Sequence, residues 1–568
     1  MKYLLVSLLS VVSFVRTTHA QKEVKGKEYH YLVLFEDKGL RYTHMKDSSE
    51  FLSVEAIERR RRFGISMDSL DLPVTKAYIK NIQEEGIRIR YATKWLNGAV
   101  VTVKNPDDAR RLRIKFFVRK VTLLGLTPVV YRASEKPRVV ASEPDIRMES
   151  IRFERKDYGK SYEQIAMINA HTLHKEGYRG RGVHVAVFDA GFKKYNALSA
   201  FKHLKYENRL QGVFDIVDQD NRVDDADAHG MHVLGCISGF DPGTYIGTAP
   251  EASISLFRTE SSEYEYLIEE LNWIRAAEMA DSMGVDIINS SLGYTTFDDP
   301  FMDHTHAELD GVTTFIAQGA KIAASRGILI VNSAGNDGNK PWKRLDSPAD
   351  AEDILTVGAV DFERKRTSFS SVGPTSDGRI KPDVAALGHQ TALVSTYGGS
   401  YTGNGTSYST PIISGAMACL MQKYPNTSPT LLRAALRFGS SKQGRPDTLI
   451  GYGIPNFVNA ELALGKGVSA QFKMISKDFS SSTNDFQSID FTTSDTISLY
   501  LYAFEKRAFI LPYKKVLDAG EFSKMGNLRR YFWEIPEGKK NKVYVRISTS
   551  ADFKNSKRKL LLARTVTR

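Results

Sequence analysis

The sequence predicts a three-layer α/β unit built on a parallel sheet, with a small α+β unit before it and a β-rich unit after it. Three observations predict this. Between about residues 157 and 466, short β-branched apolar runs alternate with helical stretches, and strands apolar on both sides must be covered on both faces. Ahead of them, strand patterns are interleaved with helix patterns over a shorter stretch, which suits a small α+β sandwich. After them, "TISLYLYAF" and "KVYVRIST" carry the alternation of half-buried strands.

The first element is "MKYLLVSLLSVVSFVRTTHAQ". A positive start, an apolar core and small residues at Thr18 and Ala20 make residues 1–20 a signal peptide, with cleavage after Ala20. Its apolar run is too short to span a bilayer, and no later run reaches about 18 apolar residues. The expectation is an exported protein, extracellular, periplasmic or on the cell surface, with no membrane span.

Residues 21–130 form the α+β unit. "YHYLVLF", "IRIRYATKW", "GAVVTV" and "KFFVRKVTLL" read as strands. "SVEAIERRRRFGI" reads as a helix closed by Gly64, and "LPVTKAYIKNIQEEG" as one with Pro73 near its start and Gly86 at its end. "NPDDARRLRI" is a helix with Asn105 as cap and Pro106 at its first position. Residues 131–156 are charged, hold Pro137 and Pro144 and lack periodicity, so they read as a linker.

In residues 157–466 the strands are "VHVAVFD", "SISLF", "VDIINSSLG", "ILIVNSAGN" and "ILTVGAV". "IEELNWIRAAEMADSMG" and "FIAQGAKIAASRG" are the helices between them, each closing at a glycine. Residues 467–568 are the β-rich unit. From Val468 onward there are 19 Lys and Arg against 10 Asp and Glu, so most of the chain's net +12 sits here. That excess serves solubility or attraction to polyanionic surfaces; no nucleic-acid partner is expected. The two cysteines, Cys236 and Cys419, cannot make a disulfide framework and read as buried thiols.

Four stretches of the central unit carry chemistry. In "VHVAVFDAGF", Asp189 ends an apolar strand, where α/β sheets gather their sites. In "DAHGMHVLGCISG", His229 begins a helical run and could meet that carboxylate. The His229/His232 pair has no third ligand at a metal spacing, so His232 reads as a structural histidine. In "ILIVNSAGNDG", Asn336 could donate its amide to a developing oxyanion. In "GTSYSTPIISGAMACLMQKY", Ser407 starts a helix, with Pro411 in the first turn.

Each residue alone is an ordinary turn or cap residue. Together, Asp189, His229, Asn336 and Ser407 follow the order that marks the subtilisin arrangement among serine hydrolases. "VAVFDAGF", "HGMHVLG", "SSLGY", "SAGNDG" and "GTSYSTP" resemble the successive signature blocks of the subtilisin-like (S8) serine peptidases, with "TAPEASI", "KPDVAALG" and "GYGIPNFVNA" in support. The resemblance implies a secreted endopeptidase acting through an acyl-enzyme. In it Ser407 is the nucleophile, His229 the base, Asp189 its orienting acid and Asn336 the oxyanion donor. Ser291, Leu292 and Gly293 would form one wall of the primary pocket and pair with the substrate backbone. Protein or peptide substrates follow, and the first unit is similar to a propeptide that inhibits in the same chain.

Met231, Tyr408 and Ser409 depart from the family pattern without removing a reacting group. No cofactor is required for this chemistry. The acidic loops "DQDNRVDDAD" and "DDPFMDHTHAELDG" read as solvated loops, although the resemblance leaves room for a structural calcium ion. A non-catalytic binding protein on the same scaffold, and an esterase or peptide ligase using the same groups, are the alternatives.

Overall fold

The computed structural model describes residues 24–38, 50–130 and 148–465, together with strand segments between 486 and 564. Residues 1–20, read as the signal, and most of the linker lie outside the described residues.

The first unit is a four-stranded antiparallel sheet with helices. Its strands are β1 (Val24–Phe35), β2 (Arg88–Thr93), β3 (Gly98–Val103) and β4 (Val118–Val130), in the spatial order β2-β3-β1-β4. Helix α1 (Val54–Phe63) starts where Ser53 accepts the Ala56 N–H and stops at Gly64, whose φ of 66° is left-handed. Helix α2 (Lys76–Glu84) begins after Thr75, so Pro73 lies ahead of the helix and not inside its start. Helix α3 (Pro106–Arg111) has the expected cap, with Asn105 accepting from the Asp107 N–H.

The central sheet has seven strands, all parallel: β5 (His184–Asp189), β6 (Leu210–Asp215), β7 (Ser253–Arg258), β8 (Ile287–Ser290), β9 (Leu329–Ser333), β10 (Leu355–Val360) and β11 (Val384–Leu387). Their order is β11-β10-β9-β8-β5-β7-β6, which puts β5 well inside the sheet. The edge strand β6 is missing from the sequence reading, because "LQGVFD" is mostly half-exposed and lacks an apolar run.

Successive residues of one strand feed two cores. Val185 and Val187 point to the face that packs α4 (His229–Ser238) and α7 (Thr406–Lys423). Ala186 and Phe188 point to the face that packs α5 (Ile268–Ser282) and α6 (Phe315–Ser325). Met148 and Phe153, in the stretch read as linker, are buried in the first of these cores.

The first unit docks on α5. Arg59 reaches Asp281 at 2.6 Å and the carbonyls of Val285 and Arg326; Arg60 reaches the other oxygen of Asp281 at 2.7 Å. Glu278 accepts from Thr93 Oγ1 and the Trp95 N–H, and Tyr91 donates to Asn272. All these α5 side chains are buried.

In the C-terminal region, strand segments at 486–491, 499–505, 515–522, 529–534, 543–548 and 563–564 pair antiparallel. Among the described residues no helix is long and apolar enough to cross a membrane.

Candidate active site

Parallel strands place all their C-terminal ends on one edge of the sheet, and Asp189 is the last residue of β5. Its side chain is fully buried. Oδ1 accepts from its neighbour's Ala190 N–H at 2.9 Å and lies 2.8 Å from His229 Nδ1. Because a carboxylate can only accept, Nδ1 carries the proton and Nε2 is left as the base in the neutral ring.

His229 opens α4, and its backbone N–H is taken by Asp227 Oδ1 at 2.7 Å. The next residue must be glycine in this packing. A Cβ at Gly230 would lie 2.5 Å from the Gly191 carbonyl oxygen and 2.7 Å from Asp189 Cβ. The helix start is therefore pressed directly onto the carboxylate it needs.

The His229 imidazole is 30% exposed. Burial disfavours its cation, but the Asp189 charge and hydrogen bond outweigh this, helped by Glu260 and Asp227, and raise its pKa to about 9.

Ser407 is the second residue of α7, which starts one residue earlier than its sequence suggests. Its backbone N–H has no protein acceptor among the described residues, as expected for a first helical turn. Ser407 Oγ donates to the Ser291 carbonyl at 3.2 Å, not to His229. The bond is returned: Ser291 Oγ donates to the Ser407 carbonyl at 2.9 Å.

Pro411 explains that returned bond. It lies in the second turn of α7, not the first, and has no N–H to give the carbonyl four residues back. That carbonyl belongs to Ser407, and the Ser291 hydroxyl satisfies it. Ser291 is held in turn by Asn289 Nδ2, and Asn289 Oδ1 accepts from Ser414 of α7. Asn289 was not picked out from the sequence; its signal is a buried amide within an apolar strand.

Asn336 follows β9. Its Oδ1 accepts from the Thr406 N–H at 2.9 Å and from Thr406 Oγ1 at 3.0 Å. The N–H can only donate, so the amide orientation is fixed and Nδ2 is left without a protein acceptor among the described residues. Leu292 accepts from Asn332 and Ser333, which ties the Ser291–Gly293 segment to β9.

Tyr408 lies ring to ring with His229 at 5.7 Å, and this departure from the family pattern joins the Ser407 and His229 helices. His232 lies apart from this chemistry: it donates from Nδ1 to the Val394 carbonyl and accepts from Tyr401. Cys236 and Cys419 are buried and free.

Among the described residues no three His, Cys, Asp or Glu converge as metal ligands. In the two acidic loops, Asp218 pairs with Arg258, Asp224 accepts from Asn196, and Asp299, Asp303 and Asp310 accept local backbone N–H groups.

Residues 180–453 match the model of the subtilase family, and residues 30–138 match that of the Peptidase S8 propeptide domain of Bacteroidota. Subtilisin of Bacillus pumilus is 30% identical over 278 residues, covering 48% of this chain and 88% of that protein. The chain belongs to the subtilase family. Subtilisin DY of Bacillus licheniformis is 29% identical to this subtilase over 288 residues, 49% of this chain and 91% of its own. Serine protease AprX of Bacillus subtilis is 31% identical over 311 residues, 50% and 66% of the two chains. Among solved structures, MycP1 with its N-terminal propeptide removed matches at a TM-score of 0.41 and 22% identity, over 52% of this chain and 96% of that one.

Proposed function

We propose that this subtilase is a secreted serine endopeptidase that hydrolyses peptide bonds through an acyl-enzyme on Ser407. The observation that carries the reading is the 2.8 Å His229–Asp189 bond, with the His229 ring against Tyr408, the residue after a helix-start serine whose neighbour Thr406 is held by Asn336 with its Nδ2 unspent.

For attack, Ser407 Oγ turns about χ1 from the Ser291 carbonyl to His229 Nε2, a contact that often tightens only with substrate. His229 takes the Ser407 proton as Oγ adds to the scissile carbonyl, and Asp189 stabilises the resulting imidazolium. The oxyanion receives the Ser407 backbone N–H and Asn336 Nδ2. His229 then gives its proton to the leaving amine. Water repeats the cycle and releases the acid.

The Ser291–Gly293 segment pairs with the substrate backbone, and the first unit serves as an intramolecular inhibitor until cleaved from the chain. The required groups are all side chains and backbone, so the cycle as written needs no cofactor. A fluorophosphonate probe tests the reading: it labels Ser407 of the mature protein, and absence of label there refutes it.

Two further outcomes are expected. Asn336→Leu lowers kcat by about 10²–10³ with KM little changed, read by steady-state kinetics; that size is established for the corresponding donor of subtilisin itself and is carried over with the family. The second outcome concerns pH. The base must be neutral, and a raised His229 pKa means the cation persists above neutrality. Thus kcat/KM climbs with pH through an acid limb on the alkaline side of 7, with its midpoint near pH 9 and its plateau above that. Glu260 lends part of that shift, so Glu260→Gln moves the limb to lower pH. A limb left in place by that substitution contradicts the assignment.

A further inference from the structure

We propose that Asp346 makes the primary pocket selective for a cationic substrate side chain, lysine or arginine, on the acyl side of the scissile bond. This rests on the serine-peptidase reading and names the substrate class of that same site.

The argument begins with two glycines. Tyr294 and Ser347 exchange backbone hydrogen bonds at 2.8 and 3.1 Å, which brings the segment after Ser291 against Asp346. A Cβ at Gly293 would stand 2.7 Å from Asp346 Cβ. A Cβ at Gly335 would stand 2.2 Å from Asp346 Oδ2, and the φ of 104° there also favours glycine. Ser291 touches Ser407, and Asn336 touches Thr406. The two segments flanking the nucleophile thus both lack a side chain at one place, and the carboxylate fills that place.

The carboxylate is short of partners. Oδ1 of Asp346 is buried with no hydrogen-bond partner among the described residues. The Asn336 backbone N–H faces the carboxyl group, on the residue whose side chain is offered to the oxyanion. The charges around it are mostly of its own sign: Asp337 and Glu265 are negative, and Lys340 is bound to Asp337 at 2.7 Å. Burial first, then Asp337 and Glu265, push the Asp346 pKa well up, with Lys340 and the Asn336 N–H offsetting part of the effect.

A carboxylate with a desolvated oxygen among other carboxylates is costly until a cation pairs with it. An incoming ammonium or guanidinium supplies that cation. An apolar side chain leaves the acid unpaired, so the pocket discriminates by the loss of a desolvated charge pair.

The test uses mature protein purified from the full chain and peptides identical except at the residue before the scissile bond. The native enzyme is expected to favour Arg or Lys over Leu or Phe by roughly 10² in kcat/KM. Asp346→Asn is expected to bring that ratio down to within a few-fold of one. The ratio is taken within each preparation, so a loss of folded protein cancels. Competitive inhibition of the native enzyme by benzamidine is expected as well and needs no variant. Label on Ser407 with Leu or Phe peptides cleaved as well as Arg or Lys peptides, a ratio unchanged by Asp346→Asn, or no inhibition by benzamidine overturns the pocket assignment alone. No label on Ser407 overturns the serine-peptidase reading and this inference with it.

Discussion

Replacing Ser407 by alanine is expected to lower kcat by about 10⁶, a size established for the same substitution in subtilisin itself and carried over with the family. The physical reason lies in how the groups depend on one another. Without Oγ, the His229 base has no proton to take, and the Asp189 carboxylate orients a ring with no task. Residual turnover would come from the Asn336 amide and the helix-start N–H acting on an attacking water. The same variant is expected to accumulate as an uncleaved precursor, because removal of the first unit would depend on the chain's own nucleophile. Intact-mass spectrometry of the purified product reads this directly. Normal maturation of the alanine variant would assign the cut to another peptidase, while unaltered kcat would remove Ser407 from the reaction.

The second large effect is expected at Asp281, far from the cleft. Its two carboxylate oxygens hold Arg59 and Arg60 of the first unit at 2.6 and 2.7 Å, and all three side chains are almost wholly buried. Asp281→Ala leaves two guanidinium groups in a dry interface, where loss of one partner of a buried pair costs about 3–5 kcal/mol. Arg60 keeps a second carboxylate, Asp71, at 2.7 Å, so Arg59 bears most of that cost. In the Ser407→Ala precursor, which cannot process itself, the first unit should unfold or detach at lower denaturant than the rest. Hydrogen exchange resolved by segment would show protection falling over residues 54–63 and 88–103 and holding over the central sheet. Equal protection in both precursors would mean that apolar burial, not this charge network, seats the first unit.

The groups proposed to react were legible because each is coupled to a local signal. Asp189 ends an apolar run, His229 and Ser407 start helical ones, and Asn336 stands between a glycine and an acid after a strand. The helix caps of the first unit were legible for the same reason: Asn105 with Pro106, and Gly64, act within a few residues of themselves. The misses follow the opposite rule. The edge strand β6 has a weak pattern because one side faces outward. Glu278 and Asp281 look like the solvent side of a helix, yet they are buried, because another part of the chain covers them.

The sequence alone determined which residues are proposed to do chemistry here, their order, and the alternation that forces a parallel sheet with two covered faces. Those properties are carried by neighbours along the chain. Tertiary structure alone decided what each group is doing at rest. It turns the Ser407 hydroxyl to Ser291, satisfies with Ser291 the carbonyl that Pro411 leaves open, and sets Asp346 in the gap of two glycines. These contacts join residues separated by about ten to more than a hundred positions, and they depend on ångström-scale packing that no local periodicity encodes.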